Sequence, residues 1–485
     1  MSARFAGRSG RARTLAFLLL VGCGERGPAR PDILLFSIDT LRADHLGCYG
    51  YERATSPNID DFARSATRFT QAYAPTPWTL ASHAEILTGR HPYQVGITSK
   101  ESAIPADVPI VAESLAGAGY STAAFVDSTR RGYLGAERGF SRGFERYSHA
   151  PHLPGLVFEY DMQVTLEVAI DWIRRRRDPE RPFFLFLHTK SVHTTKDGTP
   201  RPDRRVPPYD LPEPHRFRFL TREQAELEWS DAKLGAGGSY LTGWNRAFEK
   251  GRLAPERFPA DQLAALEALY DGAIYYVDQR FGQLLDVLRS EGLYDDMLVV
   301  LTADHGEEFL DHGMFNHVQV YRELLRVPLL VKLPRQSDGR VIDAPVRLAD
   351  IVPTLLEQAG IPVASELEGR PLQAAGRTAI ASRRIFGSHH KPPGPDPERK
   401  QFSLREGEWT LVYGESRADG SRDVELYHTR VDTTEAHPVE GPAGRVEAMM
   451  RALEEWRSRA RVSDGASVEL DEKTAEDLRA LGYVD

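Results

Sequence analysis

The sequence predicts an α/β protein: a large, mostly parallel sheet with helices on both faces, followed by a small C-terminal α+β subdomain. Three observations carry this reading. Short apolar runs of β character recur between residues 33 and 331, as expected of parallel strands buried on both faces. Segments of helical period separate several of them, and alternating strands and helices build a parallel sheet through crossover connections. Three runs stop at residues able to bind metal or move protons, namely Asp39, His188 and the Asp304-His305 pair. Ligands bind beyond the carboxyl ends of such strands, so run ends are where a site is sought.

The 485 residues, 41% hydrophobic and 27% charged, exclude disordered, collagenous and coiled-coil classes. At the N-terminus, Arg4, Arg8, Arg11 and Arg13 precede the run Leu15 to Val21, too short to cross a bilayer. Residues 1–22 read as a secretory signal. Its end, Leu20-Val21-Gly22-Cys23, resembles the bacterial lipobox, whose cysteine is diacylated and becomes the mature N-terminus. The expectation is a lipid-anchored protein of the bacterial cell envelope, on its periplasmic or extracellular face, with the membrane as a partner. Loss of four arginines and no acid with the leader takes the net charge from −9 to −13. That excess of anions argues against nucleic acid. The other cysteine, Cys48, is expected to be an unpaired packing residue, which excludes a disulfide framework.

After a linker over residues 23–31, a catalytic domain is expected over 32–385. Its strands are placed at Ile33 to Ile38, Ala123 to Val126, Phe183 to Leu187, Met297 to Leu301 and Val327 to Val331. Helices are placed at Asn58 to Tyr73, Asp161 to Arg175, Asp261 to Ser290 and Asp350 to Ala359. Residues 194–258, rich in Pro, Arg and Gly, break the rhythm and read as a lid or substrate-facing insertion with some helix around Thr221 to Trp229. A proline-rich break over Ser388 to Lys400 falls at the start of the C-terminal subdomain, 386–485. There Phe402 to Arg405 and Trp409 to Tyr413 read as strands and Val446 to Arg459 as a closing helix.

Asp39, Asp304 and His305, each at the end of an expected strand, can meet at one edge of the sheet. Oxygen and imidazole donors suit a divalent ion, although an Asp-His pair alone reads equally well as a helix cap beside a surface histidine. The segment Thr79-Leu80-Ala81-Ser82-His83-Ala84-Glu85-Ile86-Leu87-Thr88-Gly89-Arg90 changes that balance. It resembles the signature of the sulfatase family, within the alkaline phosphatase superfamily, which runs Cys or Ser, x, Pro, Ser, Arg and then Leu-Thr-Gly-Arg. Asp39 to Gly50 is similar to that family's first metal-binding segment and Thr302 to Glu307 to its second. Phe183 to His193, Arg326 to Val331, Val346 to Leu356 and Leu478 to Tyr483 also resemble family segments.

The resemblance implies an alkaline phosphatase-like fold and a metal site of Asp39, Thr79, Asp304 and His305 holding Zn, Mn, Ca or Mg. Thr79 falls at the nucleophile position, His193 at that of a substrate-contacting histidine, and His317 where many members carry a sulfate-binding lysine. An imidazole can protonate a leaving oxygen, so His193 and His317 are candidate general acids. His188 and His312 are left open between a second metal site, support and packing; Asp271 and Asp278 read as structural. Four departures point away from sulfate: threonine does not provide the aldehyde of formylglycine, Thr40 stands where a second Asp is usual, His83 replaces an arginine, and Val126-Asp127-Ser128-Thr129 replaces sulfate-contacting residues. The expectation is a phosphate or phosphonate mono- or diester cleaved through a Thr79 ester intermediate. The alternatives are a sulfuric ester hydrolase, a head-group phosphotransferase and a non-catalytic envelope binding protein. The expected substrate is a small anionic ester or a lipid or glycan head group.

Overall fold

The computed structural model describes residues 30–128, 132–149, 162–194, 207–209, 211–229, 240–375, 383–390 and 399–459. The leader, Cys23 and the Leu478 to Tyr483 segment lie outside the described residues. The main sheet contains β1 (Ile33–Ile38), β2 (Thr67–Tyr73), β3 (Ser121–Val126), β4 (Arg146–His149), β5 (Phe183–Thr189) and β6 (Leu298–Ala303). A two-stranded pair, β7 (Glu308–Phe309) and β8 (Phe315–Asn316), lies apart from it, and β9 (Arg326–Lys332), β10 (Arg340–Ile342) and β11 (Val346–Arg347) return to it. Strand order is β10-β2-β9-β6-β1-β5-β3-β4, with β11 also on β2. Pairing is parallel except for β9, which runs antiparallel to both β2 and β6. The sheet is therefore mixed, mostly parallel, and its central strands β1, β3, β5 and β6 are buried along their whole length.

The helices are α1 (Pro57–Ala63), α2 (Thr79–Thr88), α3 (Val111–Gly117), α4 (Met162–Arg175), α5 (Arg222–Ala225), α6 (Tyr240–Glu249), α7 (Ala260–Ser290), α8 (Arg322–Leu325), α9 (Ile351–Gln358) and α10 (Arg445–Ser458). α1 and α4 pack on α7, whereas α2 and α3 pack with α9. Neighbouring residues of β1 show that these layers lie on opposite faces: Phe36 stacks on Phe281 of α7 at 5.6 Å, and Ser37 bonds His83 of α2 at 2.9 Å. Successive strand residues point to opposite sides.

The helix expected over Asn58 to Tyr73 is present only as α1, and its second half is strand β2. Ile59, Phe62 and Ala66 keep a helical spacing, but Thr67 to Tyr73 is rich in threonine and aromatic residues, which favour a pleated surface, and β9 is there to pair with it. Within the insertion the described residues contain the one-turn α5 and an unexpected α6. Asn245 of α6 anchors to β8 through both its amide atoms, each 2.9 Å from the Phe315 backbone. After residue 383 the chain forms an antiparallel sheet of β12 (Ile385–His390), β13 (Lys400–Glu406), β14 (Trp409–Glu415) and β15 (Arg422–His428), covered by α10. It docks beside the segment following α2, where Trp456 of α10 stacks on Tyr93 and Phe386.

All ten residues of α2 are buried, and the helix stops at Gly89, whose φ of 68° favours glycine. Inside this helix Glu85 accepts a bond from Ala349 N at 2.9 Å through Oε1, while Oε2 has no hydrogen-bond partner among the described residues. Burial pushes the carboxyl up to about 7 from its usual 4.5. A raised carboxyl pKa contributes stability that is complete below the unfolded value and lost as pH rises through the folded one. Glu85→Gln is therefore expected to match the wild type near pH 4, below the unfolded value, and to exceed it by roughly 3 kcal/mol at pH 8.5. Denaturant unfolding at the two pH values measures this, and an equal difference at both would count against it.

Candidate active site

Asp39 continues β1 by donating its backbone N–H to Thr189 O of β5 at 2.9 Å, which fixes it at the carboxyl edge of the sheet. Thr40 turns the chain there with a φ of 59°, and its amide donates to Asp304 Oδ1 at 3.2 Å. Its hydroxyl donates to the carbonyl of Asp39 at 2.8 Å. The residue standing where the family has a second carboxylate thus serves the turn. Asp304 and His305 follow β6, and Asp304 Oδ1 also accepts from His305 N at 2.9 Å.

These bonds leave Asp304 Oδ2, both oxygens of Asp39 and His305 Nε2 buried without hydrogen-bond partners among the described residues. His305 Nε2 is 3.7 Å from Asp39 Oδ1 and 3.5 Å from Asp304 Oδ2. Two donors about 2.1 Å from one ion stand roughly 3.0 to 3.6 Å apart for angles between about 90° and 120°. His305 Nδ1 donates to Gly306 O at 3.0 Å, which turns the Nε2 lone pair into the cluster, the arrangement of a ligating imidazole. The residues fit a divalent cation, and the donor set suits Zn or Mn as well as harder ions.

The charges lead to the same conclusion. At Asp39 burial opposes ionisation, yet His188, His193, Lys190 and His305 outweigh it and hold the carboxyl well below the usual range. Asp304 is pushed well above that range by burial and by the charge of Asp39. Two carboxylates in one dry pocket cannot both ionise freely without a cation between them.

Thr79 opens α2 and is buried, and neighbouring residues lash its helical turn to the cluster. Ser82 Oγ donates to Asp304 O at 2.5 Å. His83 Nδ1 donates to Thr79 O at 2.8 Å, so its Nε2 accepts from Ser37 Oγ at 2.9 Å. Among the described residues no side chain caps the N-terminus of α2, which leaves amide donors and the positive end of the helix dipole beside Thr79.

His193, beyond β5, stands 5.0 Å from His317 ring to ring, and His317 is 4.5 Å from His305. Burial pushes His193 down to about 4 and His317 down as well, so both rings are neutral near pH 7. A general acid would first have to collect a proton. His193 Nδ1 donates to Thr194 O at 2.9 Å, which makes Nε2 the proton-accepting nitrogen.

His188 lies in this pocket, fully buried, whereas His312 stacks on Tyr321 and faces Glu323 at 3.5 Å. Asp271 accepts from His45 Nδ1 and Tyr51, and Asp278 accepts from the amides of Asn58 and Ile59, both structural tasks. Two neighbours were not singled out from the sequence. Lys190 is felt electrostatically at Asp39, His193, His305 and His317, and its ammonium lies 5.9 Å from the Tyr133 ring. Glu307 is buried, pushed up to about 7 by burial, and bonded by Tyr209 of the insertion at 3.1 Å and His317 at 3.3 Å. Both sit in segments already marked by His193 and Asp304, so proximity in sequence was the available signal.

A family model described as Sulfatase matches residues 31–361. The chain belongs to the sulfatase family. A second model, for the C-terminal part of N-sulphoglucosamine sulphohydrolase, matches residues 310–459 of this sulfatase-family hydrolase. N-acetylglucosamine-6-O-sulfatase of Bacteroides thetaiotaomicron is 23% identical to it, over 93% of this chain and 91% of its own. A structure solved with D-glucosamine-2-N,6-O-disulfate superposes with a TM-score of 0.67 at 21% identity, over 91% of this chain and all of that one. A phosphonate monoester hydrolase from Silicibacter pomeroyi superposes with a TM-score of 0.65 at 21% identity, over 89% and 96%. The sulfatase-family chain is thus an enzyme acting on ester bonds, with the α/β fold expected from the sequence.

Proposed function

We propose that the chain hydrolyses a phosphorus ester, a phosphate or phosphonate mono- or diester, with the Thr79 hydroxyl as nucleophile. The observation that carries this reading is a threonine on the first turn of α2, tied by Ser82 and His83 to the Asp39-Asp304-His305 cluster. A divalent cation held by Asp39, Thr79, Asp304 and His305 would lower the pKa of that hydroxyl and polarise a non-bridging oxygen of the ester. Thr79 Oγ1 gives up its proton as it bonds to phosphorus in line with the departing oxygen. His193 Nε2 or His317 takes up a proton in the pocket and delivers it to that oxygen. Lys190 and the amides opening α2 face the anionic oxygens. Water then attacks phosphorus, and Thr79 Oγ1 leaves and regains a proton. An alcohol in place of water would make the same intermediate a head-group transfer.

A second reading, sulfuric ester hydrolysis, is favoured by a specific finding: the relatives are mostly sulfatases, with phosphonate monoester hydrolases among the similar structures. The comparisons weigh toward that reading, and Thr79 weighs toward phosphorus. Initial rates on matched aryl sulfate, phosphate, phosphodiester and phosphonate substrates decide between them. A preference for the aryl sulfate over every phosphorus ester would overturn the first reading.

We place the enzyme in the cell envelope through a lipidated Cys23, supported by the short apolar run that ends there. Wild type should enter the detergent phase and Cys23→Ser should not. A wild type that stays wholly aqueous would refute the anchor.

A further inference from the structure

Two imidazoles, His193 and His317, stand at the cluster with their rings 5.0 Å apart, and they differ in what holds them. His193 Nδ1 is bonded to a backbone carbonyl, Thr194 O, at 2.9 Å. His317 Nδ1 instead lies 3.3 Å from a carboxylate oxygen, Glu307 Oε1. A carboxylate fixes the tautomer and plane of an imidazole more firmly than a neutral carbonyl does, and it steadies the ring while the ring carries a proton.

The pairing is built by the chain. β7 and β8 match Glu308 with Asn316, so the residues flanking that match, Glu307 and His317, come side by side from ten positions apart. Arg42 Nη1 donates to Glu307 O at 3.2 Å and holds the backbone there. The insertion then grips the same hairpin twice. Tyr209 Oη donates to Glu307 Oε2 at 3.1 Å, and Asn245 binds both backbone groups of Phe315. Tyr209 is buried against Tyr270, whose hydroxyl donates to Thr40 O beside Asp39. Glu307 is itself completely buried, and among the described residues the basic side chain in ion-pair contact with it is His317. A carboxylate is costly to bury, and this one spends both its oxygens on holding a histidine and a tyrosine in place.

We propose that Glu307 is the positioning residue of His317, that Tyr209 ties the insertion into the pair, and that His317 rather than His193 delivers the proton to the leaving oxygen. Held through Nδ1, the ring gives its proton from Nε2. As the bond from the central atom to the leaving oxygen breaks, its electron pair stays on that oxygen and the proton of Nε2–H bonds to it. The N–H electrons return to the ring, which is left neutral with its Nδ1–H on Glu307. The proposal rests on the ester-hydrolase reading and holds for phosphorus and sulfur alike, so it is tested in whichever ester class the enzyme prefers.

A nitrophenolate departs without a proton, whereas an alkoxide needs one. The readout is therefore the ratio of kcat/KM on an alkyl ester to that on a nitrophenyl ester, measured with the full chain. His317→Ala and Glu307→Ala are expected to lower this ratio by about 10²-fold or more, and the double variant to lower it no further than His317→Ala alone. Glu307→Gln keeps an acceptor for His317 and should restore most of the ratio, and Tyr209→Phe should lower it by about three- to tenfold. A Glu307→Ala enzyme that slows equally on both esters, or that loses its metal by plasma mass spectrometry, overturns the positioning role. An unchanged ratio in His317→Ala overturns that residue as the donor, and a collapse of the ratio in His193→Ala instead gives the task to His193. An unchanged ratio in Tyr209→Phe removes the insertion from the pair. Should Glu307→Ala fail to fold, Glu307→Leu fills its space without an acceptor and the same ratio decides.

Discussion

Thr79→Ala is expected to lower kcat/KM by about 10³-fold or more, on the order of 4 kcal/mol of transition-state stabilisation, with an unchanged unfolding profile. The methyl and hydroxyl of Thr79 are buried at the start of a helix held by the bonds of Ser82 and His83, which do not involve its side chain. Removing the hydroxyl therefore deletes the attacking oxygen without loosening the turn. Thr79→Ser keeps that oxygen and should stay within roughly tenfold of wild type, its greater rotamer freedom accounting for the loss. Quenching wild type during turnover of a phosphodiester should trap a phosphoryl adduct on the peptide carrying Thr79. An active Thr79→Ala enzyme, or an aldehyde on that peptide, would remove threonine from its assigned role.

The second large effect is at Asp304. Asp304→Asn keeps the Oδ1 acceptor for Thr40 N and His305 N and replaces Oδ2, the oxygen with no hydrogen-bond partner among the described residues. In metal-free protein it also removes the repulsion that pushes this carboxyl above its usual range beside Asp39. The apo variant should therefore unfold at a higher temperature than apo wild type. Adding metal should reverse the order: wild type gains about 2.7 kcal/mol at a metal concentration of about 100 times Kd, whereas the variant gains almost nothing. Turnover should fall by about 10³-fold or more. Scanning calorimetry of both proteins, with and without metal, checks all three expectations. A variant that retains a full metal complement shows that the site has been misplaced.

The strand ends were the legible part of this site. A buried parallel strand must be continuously apolar, so Asp39 and Asp304 stand out in sequence as the first polar residues after Ile38 and Ala303. The α2 segment was legible only by resemblance, since its residues are buried all round and carry no helical stripe. β2 was misread because the helical spacing of Ile59, Phe62 and Ala66 leads straight into Thr67 to Tyr73, whose own preference for a pleated surface is context-dependent and is realised only with β9 beside it. The antiparallel course of β9 was hidden for a related reason, since an apolar run has no direction.

By itself the sequence determined the fold class, the central strands of the main sheet and the acids and histidines that end them. Strand and helix patterns are local, and an acid following an apolar run needs no partner to be noticed. Tertiary structure alone decided what each group does there. It brings Asp39 and Asp304 together from 265 residues apart, so that each alters the ionisation of the other. It occupies both nitrogens of His83 and leaves both of His188 without a hydrogen-bond partner among the described residues. It brings Lys190 within electrostatic range of the cluster and turns Thr40 away from a ligand's role. Charge, desolvation and hydrogen bonding act over a few ångströms of space, and a linear chain does not state which residues will share them.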